Sequence, residues 1–436
     1  MTETTLPDAD RSPLRIANFR AYWFSRLSMT LAQYAMMLII GWQTYNIARD
    51  GGMGVGAASG QLALIGLLQF VPLFLLTPFS GWAADHFDRR NIARLTVLAQ
   101  IGCAATLAWL TTSNNLTLPT LFSVAVVLGI VRAFNGPALS ALAPNLVPKT
   151  ILPNAIALSS IAWQVGMIVG PAIGGYTYAI FPALPYFVAL GLFACSLVAL
   201  SFIGRVPQPP REANRRPIHQ MVEGLRYVVR NKMVLGAITL DLFAVFLAGA
   251  TALFPVYARD ILEVGETGLA QLAMAPAVGA ALTALWFSFR PLKNNVGPKM
   301  LLAVAVFGLA TIIFGLSQSM PLSLAMLFIV GAADMFSVYI RQSLIQLHTP
   351  DDKRGRVSSV SLLTISASNE FGDFFSGSLA FLLGPVLAVV GGGVGAIVTV
   401  ALWAKIFPVL RTTRTFDPPE ELLDTPPEQK LQEQMP

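Results

Sequence analysis

Charge is what this chain has least of. Only 12% of its 436 residues are Asp, Glu, Lys or Arg, about half the share of a soluble domain. So few charges cannot clothe a soluble surface of this size. Cysteine is nearly missing too. Cys103 and Cys195 both fall inside apolar stretches, too few and too buried for a secreted disulfide framework. Histidine occurs only at His86, His219 and His348, all in polar segments and read as solvated. No His/Cys group has metal-ligand spacing, and no GxxxxGK[ST] phosphate loop is present. These absences argue against an ATP-driven pump and against enzymes built on a metal or a phosphate loop. No enzyme activity and no bound cofactor is expected.

What the chain has is apolar length. Hydrophobic residues make up 55%, and mean hydropathy is +0.63. A bilayer-spanning helix needs roughly 20 apolar residues. Twelve stretches qualify: 20–48, 60–84, 91–112, 119–142, 153–180, 184–204, 233–258, 267–289, 300–318, 322–346, 357–383 and 385–410. The first follows a polar lead and has no small-residue cleavage site, so it reads as a retained helix rather than a removed signal. The expected fold is all-α integral membrane, with twelve helices in two pseudo-symmetric six-helix bundles.

The basic residues set the orientation. With both termini in the cytoplasm, all of the 29 Lys and Arg fall at the cytoplasmic side except Arg49, Arg259 and Arg132. That tally includes Arg341. The excess of positive charge therefore reports topology and contact with anionic lipid, not nucleic acid. The segments are a cytoplasmic tail (1–19), a first bundle (20–204), a linker with an amphipathic helix (205–232), a second bundle (233–410) and an acidic, proline-rich cytoplasmic tail (411–436) read as disordered. The linker's Ile218, Met221, Val222, Leu225 and Val228 among charges suit a helix on the membrane surface. A bacterial inner-membrane protein, working as a monomer, is expected.

Arg132 lies in the middle of the run 119–142. A midmembrane arginine needs a water-filled cavity or a partner, which points to a transport path. Sliding the chain so that Arg132 meets Asp334 also brings Pro148 onto Pro350, Gly170 onto Gly372 and Gly175 onto Gly377. Repeats of this kind place the transported molecule at their interface near the midplane. The symmetry sets Arg132 and Asp334 at one cavity. Asp241, Asp334, Glu370 and Asp373 also stand in apolar surroundings, where ionisable groups are functional candidates. A carboxylate in a low-dielectric cavity holds its proton to higher pH than in water, which is the chemistry of proton coupling. Gln33 and Asn369 offer neutral polar groups, and Tyr34 and Trp163 aromatic surface. Gly166, Gly170 and Gly174 form a small-residue stripe around Pro171, suited to close helix packing. Gly391 to Gly395 read as a flexible joint in the last helix.

The loop Gly81, Asp85, Arg89 and Arg90 resembles the loop motif of the major facilitator superfamily. Arg132 with Gly136 resembles its fourth-helix motif. Gly166-xxx-Gly170-Pro171-xx-Gly174-Gly175 is similar to the fifth-helix motif of its antiporters. The resemblance implies alternating access, a gating role for Asp85 with Arg89 and Arg90, and export driven by inward proton movement. His86 and Asp88 depart from the loop pattern, where a basic residue and a glycine are usual. Leu253-Phe254-Pro255-Val256-Tyr257, Thr349-Pro350 with Gly355-Arg356, and Asn369 with Gly372-Asp373 and Gly377 are similar to the enterobactin exporter branch, which grades into macrolide and other drug pumps. A siderophore or similar amphipathic small molecule is the expected cargo, with a multidrug or macrolide pump as the alternative. A passive lipid mover or a receptor on the same fold is the alternative of another class.

Overall fold

The computed structural model describes residues 12–204, 217–290 and 292–417; the two tails' far ends and most of the proline-rich linker lie outside them. Among the described residues the chain is helical throughout, as lipid demands, because a helix satisfies its backbone bonds within one segment. The first half is α1 (Ala17–Asp50), α2 (Val55–His86), α3 (Arg89–Thr112), α4 (Leu118–Leu142), α5 (Leu152–Ile180) and α6 (Leu184–Ser201). The linker contributes α7 (Pro217–Arg230). The second half begins with α8 (Lys232–Ala248), a 3-10 turn at Thr251–Leu253, the single turn α9 (Phe254–Val256) and a π turn at Tyr257–Ile261. It continues with α10 (Gly265–Phe289), α11 (Val296–Leu316), α12 (Met320–Leu347), α13 (Asp351–Leu383), α14 (Pro385–Ile406) and the short α15 (Pro408–Thr412).

Local signals set the helix ends. Asp88 caps α3, its carboxylate accepting from Arg90 N at 3.0 Å, and Arg90 holds that carboxyl below the usual carboxylate range. Asn231 caps α8 through Met233 N and Val234 N, the ordinary N-cap arrangement. The seventh span departs from the continuous 233–258 expected. Gly249 is extended, and Pro255 supplies no N–H, so an unbroken helix cannot run through both. The last span breaks at Phe407, because the residue before Pro408 is pushed out of the helical region. Ten helices are long and apolar enough to cross a membrane by length and composition. The other long helices, α1 and α13, are more polar.

Each half has its own apolar core, around Tyr22, Leu107 and Phe193 in the first and Met300, Ile340 and Leu410 in the second. A third cluster joins them, with Trp42 and Tyr45 of α1 against Phe254, Tyr257 and Phe314. The outer surface is oily: Ile180, Phe289 and Trp109 are exposed, as lipid-facing side chains should be. Cys195 is exposed as well, and only Cys103 is buried. The thiol on α6 thus faces outward, because small residues on a lipid-facing helix need not be inside. Gly392 and Gly393 of α14 are close-packing positions rather than a joint: a Cβ on Gly393 would come within 2.7 Å of the Gly308 carbonyl oxygen.

The helix α7 is docked on the second half. Glu223 pairs with Arg356 at 2.7 Å, and the Tyr227 hydroxyl donates to the His348 carbonyl at 2.8 Å. His348 is therefore buried rather than solvated, and burial holds its imidazole below the ordinary histidine range. The opposite line of α7, Val222, Leu225 and Val229, is exposed beside Arg226 and Arg230.

Candidate functional site

The halves meet along two seams, α2 against α13 and α5 against α10. Small residues let these helices approach. A Cβ on Gly377 would stand 2.7 Å from Ala63 Cβ, and one on Gly175 would stand 2.6 Å from the Glu266 carbonyl. At the end of the molecule where α1 finishes and α10 starts, charges fasten the seam. Arg49 bonds Asp260 at 3.1 and 3.3 Å, and Tyr45 donates to the same carboxylate. In return Arg259 pairs with Asp50 at 2.6 Å and bonds Asn46 Oδ1 at 2.6 Å. The two halves thus exchange Arg–Asp pairs. The signal was present in the sequence, where Ala-Arg-Asp occurs at both 48–50 and 258–260. The register that aligns Arg132 with Asp334 hides it, because the broken seventh span displaces the second copy. Arg49 and Asp260 are partly buried, so this pair is worth more than a fully exposed one. Asp260→Asn should loosen the clasp, raising severalfold the labelling of a cysteine placed at the buried Ala48 by a water-soluble thiol reagent. The exchange Arg49→Asp with Asp260→Arg should restore protection. Equal labelling in all three proteins would show that the clasp holds nothing.

The stripe on α5 divides its work. Gly166, Gly170 and Gly174 face α1 of their own half, not the opposite bundle: the added Cβ would lie 2.6 Å from Tyr34 Cβ at Gly170 and 2.7 Å from the Ala35 carbonyl at Gly174. Only Gly175 looks across to α10. One residue turns a helix by about 100°, so neighbours in sequence serve different partners. Pro171 is buried within the same helix. Gly170→Leu or Gly174→Leu should lower stability by about 1–3 kcal/mol, the range for overpacking. Even alanine should be costly, since the clash begins at Cβ. A melting temperature in detergent unchanged by leucine at both sites would refute this packing.

Arg132 is half-buried in α4, and Gly136 one turn on is exposed with open space where a Cβ would stand. Gln33 is half-buried on α1, and Tyr34 meets the exposed Trp163 edge to face at 5.7 Å. Asn369 is exposed on α13. The side chains of Gly81, Asp85 and Glu370 lie outside the described residues. Arg90 is not available to a gate across the halves. It bonds Asp88 at 2.5 and 3.1 Å and donates to the Ile203 carbonyl at 3.1 Å, staying within its own half. Asp88, standing where the motif has glycine, is what captures it. Arg89 is half-buried. Asp373 accepts from Thr251 Oγ1 at 2.8 Å, beside the break in the seventh span.

The charged centre of the second half is elsewhere. Asp241 of α8 pairs with Arg341 of α12, both buried. Asp334, about two turns before Arg341, lines with Asp241 and Ser337 a small cavity of about 10 Å³ walled by Val304 and Phe307. This space belongs to α8, α11 and α12, Arg132 does not line it, and among the described residues Arg132 and Asp334 form no ion pair. Arg341, which the topology tally counted at a cytoplasmic helix end, is turned into the bundle. It lies within the apolar run 322–346, and that position was the signal for it. The arrangement can bind a proton or hold a charge out of water.

Comparison with known proteins gives the family and the fold. A family profile described as Major Facilitator Superfamily matches residues 21–372. The chain is 26% identical over 342 residues to the multidrug efflux pump Tap of Mycolicibacterium fortuitum, covering 76% of this chain and 79% of that one. It is 24% identical over 363 residues to the enterobactin exporter EntS of Escherichia coli, covering 82% and 85%. Among solved structures, a bacterial homolog of the human lysosomal transporter Spinster superposes with a TM-score of 0.67 at 17% identity, over 92% of this chain and 99% of that one.

Proposed function

We propose that this chain, which belongs to the Major Facilitator Superfamily and is a multi-pass membrane transporter, is a secondary exporter driven by inward proton movement, expelling a siderophore or similar amphipathic metabolite. The observation that carries the reading is the buried Asp241–Arg341 pair with Asp334 beside it. A passive path for lipid or a receptor needs no ionisable cluster in a dry core, whereas a proton-coupled carrier needs a carboxylate that changes its protonation. Export is favoured by the two efflux relatives. With the termini in the cytoplasm, the Arg–Asp clasp closes the outer side, so the bonded state is the one that faces inward in an alternating-access cycle. Arg132 is the positive group for an anionic cargo, with Tyr34 and Trp163 as aromatic wall.

The likeness to Tap supports a second reading, a multidrug pump using the same machinery. Purified carrier in proteoliposomes separates them. Catecholate siderophores and macrolides are offered together, and the lumen is assayed by mass spectrometry. Accumulation of the siderophores supports the first reading, accumulation of chemically unrelated drugs supports the second, and accumulation of neither removes both.

A further inference from the structure

We propose that Asp241, Arg341 and Asp334 form a site for one exchangeable proton, with Arg341 as the fixed positive charge that the two carboxylates share. The inference rests on the proton-antiport reading and specifies where its proton is held.

The argument is one of charge. Arg341 and Asp241 are both more than nine-tenths buried, with side-chain exposures of 3% and 8%. Helical side chains lean toward the N-terminus of their helix. On α12 that direction runs from Arg341 over Ser337 to Asp334, so the guanidinium reaches back toward the second carboxylate. Its Nε is buried with no hydrogen-bond partner among the described residues. The donor is therefore in place for an acceptor that the present pairing leaves unused. The cavity is walled by apolar side chains of α8 and α11. From α8 Asp241, Ala244 and Val245 face it, from α11 Val304 and Phe307, and from α12 Ala333, Asp334 and Ser337, with Arg341 paired to Asp241 alongside. No other titratable side chain lines the space among the described residues. Two ionised carboxylates and one guanidinium carry a net charge of −1, and burying an uncompensated charge is expensive. One bound proton makes the group neutral.

In the state seen here Asp241 has the arginine, so Asp334 carries the proton. Release breaks the O–H bond at Asp334 and passes the proton to water. The new carboxylate then competes for Arg341, and the carboxylate that loses the arginine takes up the next proton. One proton is bound and one released in each cycle.

Infrared difference spectroscopy of the purified carrier in lipid, without cargo, reads this site directly. The carbonyl stretch of protonated carboxylic acids is followed across a pH step. Wild-type protein should show a titrating acid band that Asp334→Asn removes. Arg341→Gln should roughly double it, because both carboxylates then lose their counter-charge. Should Arg341→Gln fail to fold, Asp241→Asn/Arg341→Gln removes the pair together, and its remaining band should stay protonated to higher pH than in wild type. An acid band of equal size in wild type and Asp334→Asn overturns the proposal. If the bands behave as stated but a pH gradient does not drive export, the proton site stands and the antiport reading fails. If a gradient drives export and Asp334→Asn leaves the band intact, the site fails and the antiport reading stands.

Discussion

Arg341→Gln is expected to cost most of the folded protein, and Asp241→Asn/Arg341→Gln is expected to recover much of it. Removing one member of a buried ion pair strands the other, at about 3–5 kcal/mol. Removing both leaves two neutral groups in a space already walled by apolar side chains. Asp241 and Arg341 are the most deeply buried ion pair among those described, so the effect should exceed that of breaking the partly buried clasp at Arg49 and Asp260. The readouts are the monodisperse yield and the melting temperature in detergent. Transport should be lost in both variants, since neither retains the positive charge. If the single variant is as stable as the wild type, the pair is not buried as described. If the double variant is less stable than the single, the pair contributes net stability and not only mutual neutralisation.

Arg132→Ala should abolish export while leaving the melting temperature within a few degrees of wild type. Arg132 is only half-buried, whereas Arg341 lies almost wholly inside, so removing Arg132 should disturb the fold less than removing Arg341. Losing one partner of a desolvated charge pair costs about 2–5 kcal/mol, or at least about thirtyfold in binding. Arg132→Lys should recover little, because an ammonium lacks the planar fork that holds a carboxylate or catecholate at two points. Initial rates of cargo export in cells expressing each variant at matched levels give the measurement. Wild-type rates in the alanine variant would remove Arg132 from the cargo site.

Much of the architecture was legible in apolar runs and in the placement of Lys and Arg, because lipid permits few alternatives to a helix of fixed length. The break in the seventh span was less visible. Gly249 and Pro255 were there to read, but apolar composition continues through them, and hydropathy carries no information about backbone continuity. Arg341 was missed for a related reason. A rule that counts basic residues at helix ends absorbs any arginine near an end, including one turned inward. The α5 stripe was legible but its partner, α1, was not, since spacing tells which residues share a face and not which helix lies against it. Asp88 shows the opposite case. Asp-Arg-Arg-Asn before an apolar run is a capping signal, and it outweighs the family pattern in deciding where Arg90 goes.

The central claim is that an inward proton gradient drives outward movement of cargo through this chain. Inside-out membrane vesicles containing the carrier, given an acid lumen, present the gradient in the driving sense, with the lumen standing for the outside. Catecholate siderophores and macrolides supplied in the bath should accumulate in the lumen well above equilibrium. They should leak back when a protonophore is added, and fail to accumulate with Asp334→Asn. Accumulation that is the same with an acid lumen, an alkaline lumen and a protonophore would contradict the account.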